Sequence, residues 1–327
     1  MPATMGKKFI TALDAERAFN SLKNGKSPHT KRAYDADIEL FAAWRKAESA
    51  FEALADLLSM GSRDARALVF NWQKKMALAG NAKNSVARRI STIKAFVNRA
   101  ELEDIVDWKL RVESFNELTP AQKKNAKKRN MAGPTPKELK KIREVIRLDR
   151  SARGLRDAAI FALGESPALR RSEIAALDVG DVDLERRVVT IVGKARKEPE
   201  ELAIPRSTAK DLAAWLDVRN GNRSDPVFVA VWKDGRVGKG RLSEESIYQM
   251  TLARGSKAGI RGKRIRPHGL RHAGITNIAE VVAEQGLPVT EGMALARHKK
   301  LATFQAYLDR VGSRGRDILE AASRKTR

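Results

Sequence analysis

Histidine is scarce in this chain, with four among 327 residues, yet three of them, His268, His272 and His298, fall in one stretch near the C-terminal end. A metal site is one explanation for such clustering. No carboxylate stands with them as a ligand set, however, there is no HExxH pattern and the chain has no cysteine. A lone histidine is most often a packing residue; these three have company. RPHGLRHA places Arg271 three residues after His268, so that on a helix the two side chains share a face. ARHKKLATFQAYLDR then carries His298 and, further on, Tyr307. A phenol with a reference pKa of about 10 is a poor nucleophile until a base or a cationic field helps it to ionise, and this stretch holds both.

Lysine and arginine total 64 against 40 acidic residues, a formal net charge of +24, so the molecule attracts polyanions. Nucleic acid is the leading partner, bound with release of counterions. An anionic membrane surface is the alternative, but it needs a basic amphipathic helix with exposed aromatics, and aromatic residues make up only 6% of the chain. No apolar run approaches the roughly 20 residues of a spanning helix, and the N-terminal MPATMGKKFITALDAERAF has no long apolar core. The lack of cysteine rules out a disulfide framework, a thiolate metal centre and a cysteine nucleophile. It points to the cytoplasm, where a protein of this charge would associate with the nucleoid. No cofactor is expected. The GKS at Gly25 to Ser27 lacks the upstream glycine of a phosphate-binding loop, Asn20 standing in its place, and no acidic cluster suggests a two-metal nuclease.

The elements that must position these residues are mostly helical. From Ser27, SPHTKRAYDADIELFAAWRKA sets Tyr34, Ile38, Phe41 and Trp44 at helical spacing, and FEALADLLSM and SRDARALVFNWQKKMALAG, closed by Gly80, are two further helices. In NSVARRISTIKAFVNRA, Val86, Ile90, Ile93 and Val97 share one face while Lys83, Arg88, Arg89, Lys94 and Arg99 take the other, which is either a solvated face or one that meets a DNA groove. Composition shifts over 119–136, where Lys123, Lys124, Lys127, Lys128 and Arg129 precede Gly133, Pro134 and Pro136; this reads as an extended basic linker. Beyond it, PKELKKIREVIRLD and RGLRDAAIFALGES are helical, RRVVTIV and ELAIP form a hairpin with a basic tip, and DPVFVAV supplies a third short strand. From Ser243 the pattern is of helices broken at Gly255, Gly262, Pro267, Gly286 and Pro288. The expected organisation is mainly α: a helical domain over 1–118, the linker over 119–136, and an α+β domain with a small antiparallel sheet over 137–327.

The ordered set Arg, Lys, His-x-x-Arg, His, Tyr resembles the active-site signature of the tyrosine recombinase (phage integrase) family, and the likeness runs over the whole chain. LRRSEIAALDVGDVDLERRVVTIVGKARKEPEELAIP is similar to that family's first arginine box and the hairpin after it, HGLRH to its second box, and ARHKKLATFQAYL to its histidine and tyrosine box. Position by position, the resemblance implies Arg170, Lys194, His268, Arg271, His298 and Tyr307 as the catalytic residues. The family's Arg-x-x-Glu spacing to Glu173 selects Arg170 over Arg171. Two positions depart from the pattern: SPALRR lacks the glycine that often precedes the first arginine box, and Arg297 replaces a small residue commonly found before the last histidine. Neither removes a catalytic group.

The resemblance implies cleavage and rejoining of DNA strands through a 3′-phosphotyrosyl intermediate and a Holliday junction. Elementary chemistry agrees with the residue types. Cleaving a phosphodiester passes through a crowded, negatively charged pentavalent phosphorus, which needs its equatorial oxygens stabilised, an in-line nucleophile and a protonated leaving oxygen. Arg170 and Arg271 suit the first task as bidentate donors of fixed charge. The resemblance assigns His268 to acid–base work near the nucleophile, His298 to hydrogen bonding of the phosphate and Lys194, at the hairpin tip, to protonation of the departing 5′ oxygen, with Lys197 as its substitute. Glu173 either orients an arginine or makes a surface ion pair, and His272 is expected to be structural or supporting. A phosphotyrosine ester retains the energy of the broken bond, so no ATP is needed.

By the same resemblance the layout is the simple Xer-like or Cre-like one. An all-helical core-binding domain reads the major groove, the catalytic domain completes a clamp around the duplex, and the stretch before Ser27 is too short for an additional arm-binding domain. The partners implied are double-stranded DNA with paired inverted-repeat sites and a homotetramer, with the tail VGSRGRDILEAASRKTR docking as a helix on a neighbouring subunit. Two alternatives are a type IB topoisomerase, which would relax plasmid lacking any special site, and a non-catalytic DNA-binding regulator, which would not need Tyr307.

Overall fold

A computed structural model of the protein describes residues 9–113, 133–192, 198–260 and 265–311. The chain divides into two compact units, Met1–Asn130 and Met131–Arg327. In the first, the described residues form five helices: α1 Ala12–Lys23, α2 Pro28–Arg45, α3 Ala50–Ser59, α4 Ser62–Leu78 and α5 Lys83–Leu102. Thr11, Ser27 and Ser49 begin α1, α2 and α3 by accepting a backbone N–H that the first turn leaves unpaired. The apolar stripes meet in one core around Phe19, Phe41, Leu54, Leu57, Ile93 and Phe96, with Phe41 edge-on to Trp72 at 5.0 Å between ring centroids. Helix α1, which the sequence reading does not include, buries Ala15, Ala18, Phe19 and Leu22 on one side and starts at a capping box of Thr11 and Asp14.

One carboxylate lies inside this core. Asp37 on α2 is fully buried; its Oδ2 accepts from Arg88 at 2.5 Å and from the Thr92 hydroxyl at 2.8 Å, both on α5, and Arg89 stands 4.0 Å from Oδ1. Arg89 also donates to Asn81 Oδ1 at 2.9 Å, and Lys94 to the Val112 carbonyl at 3.1 Å. Three cations of the basic face of α5 are therefore engaged within the unit, while Lys83 is exposed. Lys127, Lys128 and Arg129 lie outside the described residues.

The second unit continues with α6 Pro136–Leu148, α7 Ala152–Glu165, α8 Arg171–Ala176, β1 Val182–Asp183, β2 Val188–Val192, β3 Pro199–Ala203, α9 Arg206–Arg219, β4 Val229–Val231, β5 Val237–Arg241, α10 Glu244–Lys257, α11 Pro267–Gln285, α12 Val289–Ala296 and α13 Leu301–Val311. Strands β1, β2 and β3 form an antiparallel sheet in that order. Val188 pairs with Ala203 and Val192 with Pro199, so the expected hairpin is present, its third strand being β1. The DPVFVAV stretch supplies a strand as expected, β4, which pairs with β5 in a separate two-stranded sheet. Its apolar run packs around fully buried Trp215 of α9, whose Nε1 donates to the Val227 carbonyl at 2.9 Å.

One expected helix break is absent. Gly255 lies inside α10, where a Cβ would come within 2.2 Å of Ile265 Cγ2, so its role is close packing and not termination. Gly262 lies outside the described residues. The other breaks stand where expected, with Pro267 in the first turn of α11, Gly286 in a left-handed conformation at its end and Pro288 capping α12. Gly274 in the middle of α11 decides a closer matter. A Cβ there would sit 1.9 Å from the Glu165 carbonyl oxygen, so only glycine lets α11 approach the end of α7.

Candidate active site

That approach carries Arg271 to the turn after α7. Its side chain is buried, with Nη1 donating to the Ala168 carbonyl in a short contact and Nη2 to the Ala296 carbonyl at 2.9 Å. Arg170 is the N-cap residue of α8, and Glu173, one turn on, accepts from both the Arg170 backbone N–H and its Nη1 at 2.7 Å. A third guanidinium joins them. Arg297, in the turn after α12, places Nη2 2.9 Å from Glu173 Oε2 and 3.1 Å from the Ala168 carbonyl. Three arginines thus gather about one buried carboxylate.

The electrostatics follow from that imbalance. Burial works to raise the Glu173 carboxyl, but hydrogen bonds from Arg297 and Arg170 outweigh it and hold it below the ordinary glutamate range. Burial, then Arg170 and Arg297, bring Arg271 down to about 10; it remains a cation at neutral pH, with more positive charge around it than its surroundings neutralise. His268 and His298 are held below the usual histidine range by burial and then by Arg271 and Arg170. Both are neutral imidazoles at physiological pH, the form able to accept a proton.

Tyr307 on α13 is buried beside Ile275, Ala279 and Phe304, and its hydroxyl makes a short hydrogen bond with Nδ1 of His272. His272 and His268, four residues apart on α11, bring their Nε2 atoms to 2.9 Å. The ring of His298 lies 5.7 Å from that of Tyr307, and its Nδ1 is buried without a protein partner.

Of the residues expected from the sequence, Arg170, His268, Arg271, His298 and Tyr307 come together in one place; Lys194 and Lys197 lie outside the described residues. Two neighbours carry more of the geometry than expected. His272, read as structural or supporting, is the group that meets the Tyr307 hydroxyl. The i, i+4 spacing within HGLRH could have indicated that it shares a face with His268. Arg297 stands out in the sequence only as a departure from the family pattern, and no local signal connects it with Glu173. Among the described residues no group of three or more histidine or acidic side chains could hold a metal ion, and no helix is long and apolar enough to cross a membrane.

Comparison with known proteins agrees with this arrangement. The phage integrase family profile matches residues 135–312. A tyrosine recombinase of Synechococcus elongatus is 32% identical over 303 residues, covering 88% of this chain and 87% of the relative. XerC of Chromobacterium violaceum is 31% identical over 287 residues, covering 86% and 85%. In fold, the chain is similar to the XerH site-specific recombinase bound to a palindromic difH substrate, with a TM-score of 0.60 and 17% identity over 95% of this chain and 94% of that one. It is likewise similar to lambda integrase residues 75–356 bound as a dimer to a core site, with a TM-score of 0.59 and 14% identity over 93% and 97%. Two arginines, a histidine trio and a buried tyrosine in the order of the family's boxes, within a matching profile and fold, place this chain in the phage integrase family.

Proposed function

We propose that this protein is a tyrosine site-specific recombinase that cleaves and rejoins duplex DNA through a covalent bond to Tyr307. The observation that carries the reading is the meeting of the Tyr307 hydroxyl with a histidine pair beside a cluster of arginines whose charge exceeds that of their one carboxylate. The scissile phosphate is the anion that completes this balance, its non-bridging oxygens accepting from Arg170 and Arg271 and from His298. The phenol proton passes to Nδ1 of His272, and His268 Nε2 is placed to take the proton that His272 releases. The phenolate oxygen attacks phosphorus in line, the bond to the 5′ oxygen breaks, and Lys194 protonates that oxygen. A 5′ hydroxyl of the partner strand then attacks the 3′-phosphotyrosyl ester and releases Tyr307, and two such exchanges pass through a Holliday junction. The bond energy is kept in the ester throughout, so no nucleotide or other cofactor is consumed.

The helical unit is the part proposed to grip the core site, with exposed Lys83 and the linker cations Lys127, Lys128 and Arg129 along the phosphates. The assembly proposed is a homotetramer on paired inverted-repeat sites. A groove of about 420 Å³, with Phe161, Ile278 and Leu295 on its apolar part and Arg147, Asp211 and Glu291 on its charged part, is proposed as the seat for Ile318 and Leu319 of a neighbour's tail, which lies outside the described residues. Recombination is preferred to simple relaxation because the similar proteins are recombinases and integrases.

The test uses a pool of nicked duplexes with randomised arms, recovering those held by the protein through denaturation. Wild type should retain a subset sharing an inverted repeat. Tyr307→Phe should lower the yield of adduct by about a thousandfold or more while binding the recovered DNA normally. Adducts formed equally well by Tyr307→Phe, or none formed by wild type, would overturn the reading.

A further inference from the structure

Arg297 has no place in the chemistry described so far, and its setting is unusual. Its φ of 54° is left-handed, a conformation that L side chains other than asparagine and aspartate seldom adopt. Ala168, whose carbonyl it meets, has a φ of 52°. The two lie in the stretches where this chain departs from the family pattern, SPALRR without its glycine and Arg297 in place of a small residue. A bulky side chain persists at such a position when its contacts over-determine it, and those of Arg297 are specific. The side chain is 97% buried, yet Nη2 alone holds it, shared between Glu173 and the Ala168 carbonyl, while Nε and Nη1 are buried without a partner. Each acceptor it touches is also held by one of the two arginines assigned to the phosphate: Arg170 holds Glu173, and Arg271 holds the Ala168 carbonyl.

We propose that Arg297 is a positioning residue that ties Arg170 and Arg271 into a single phosphate-binding unit, through Glu173 on one side and the Ala168 carbonyl on the other. This rests on the recombinase reading of the same site. Without the Arg297 side chain, Glu173 loses one of its two ion-pair partners, and Arg170 is left to hold it alone. The charged groups facing Glu173 are Arg170 from its own helix start, Arg271 from α11 and Arg297 from the turn after α12. Removing Arg297 therefore takes away the hydrogen bond that does most to oppose burial, and Glu173 takes up a proton at a higher pH. Once protonated, Glu173 ceases to orient Arg170 as a carboxylate, so the acid-side fall in cleavage moves to higher pH.

The experiment measures covalent-adduct formation on DNA recovered from the selection above, for wild type, R297G and R297K, as a function of pH, together with DNA affinity and thermal unfolding. Glycine accepts the left-handed backbone but leaves buried Glu173 with one partner fewer, so R297G should melt below wild type, and its folded fraction should bind DNA within about twofold. It should form adduct about tenfold more slowly, with its acid limb displaced upward. R297K, which keeps the charge, should recover part of the rate and the wild-type acid limb. Wild-type rate and pH profile in R297G would overturn the proposal. Were R297G not to fold, R297K and R297Q decide: a displaced limb in R297Q alone supports the proposal, and identical profiles in the two overturn it. Failure of wild type itself to form an adduct would instead remove the recombinase reading, so the two failures are distinct.

Discussion

Both units of this protein bury a carboxylate against two arginines, Asp37 in the first and Glu173 in the second, and these two sites work differently. Asp37 is approached by Arg88, Arg89 and Thr92, all on one helix, and its ion pair joins α2 to α5. The Arg88 side chain is 46% exposed, so water shares its charge. Glu173 is approached by Arg170 and Arg297, which come from separate segments, and a third guanidinium, Arg271, is buried beside them on backbone carbonyls. The first arrangement is close to balanced and serves architecture. The second leaves a buried excess of positive charge, which is unfavourable in the free protein and favourable once a phosphate occupies the site. Charge balance, more than the presence of an ion pair, separates a tether from a binding site.

The comparison can be broken most severely at Arg271. Arg271→Ala removes the buried cation that contacts only neutral carbonyls, and adduct formation should fall by about a hundredfold to a thousandfold. Unfolding in urea should register a smaller loss, of about 1–3 kcal/mol, from the carbonyls left unpaired. A stability loss without a rate loss would make Arg271 a tether like Arg88.

Asp37→Ala tests the other side. Because Arg88 can hydrate, the expected loss is about 1–3 kcal/mol, less than for a pair sealed from water. Adduct formation by the folded fraction should be unchanged, and a rate defect under conditions where the variant is fully folded would give Asp37 a part in function.

The smallest effect concerns pH. His268 and His298 have folded values below their ordinary 6.5, so the unfolded chain binds more protons as pH falls through that value. Stability should therefore decline from about pH 6.5 downward until the folded values are passed, and a bound phosphate anion, which favours the imidazolium, should reduce the decline. Urea midpoints with and without inorganic phosphate measure both; stability rising over that window would contradict the cationic surroundings inferred for the two rings.

Much of the machinery was legible in the sequence because it is written in local patterns. The three boxes, the hairpin of β2 and β3 and the amphipathic helices α2 to α7 depend on spacing, caps and β-branched runs, which act over a few residues. Where local signals are weak or ambiguous the sequence is a poorer guide. Helix α9 lacks a strong apolar stripe, Gly255 has the look of a break but is a packing contact, and the partner of the β4 strand, β5, has no β-branched run to announce it. The basic face of α5 is plain in the sequence, but nothing local indicates that Asp37, from another helix, engages two of its arginines.

The order of Arg170, His268, Arg271, His298 and Tyr307 is a property of the sequence alone, and with the net charge it was enough to propose the reaction. Only tertiary structure decided that His272 is the ring at the Tyr307 hydroxyl and that Arg297 reaches across 129 positions to the Ala168 carbonyl. The physical reason is that a helix sets which residues share a face, whereas the partner of that face is chosen by close packing. Here Gly274 admits α7 against α11, and the buried arginines then settle on whatever acceptors that approach brings within reach.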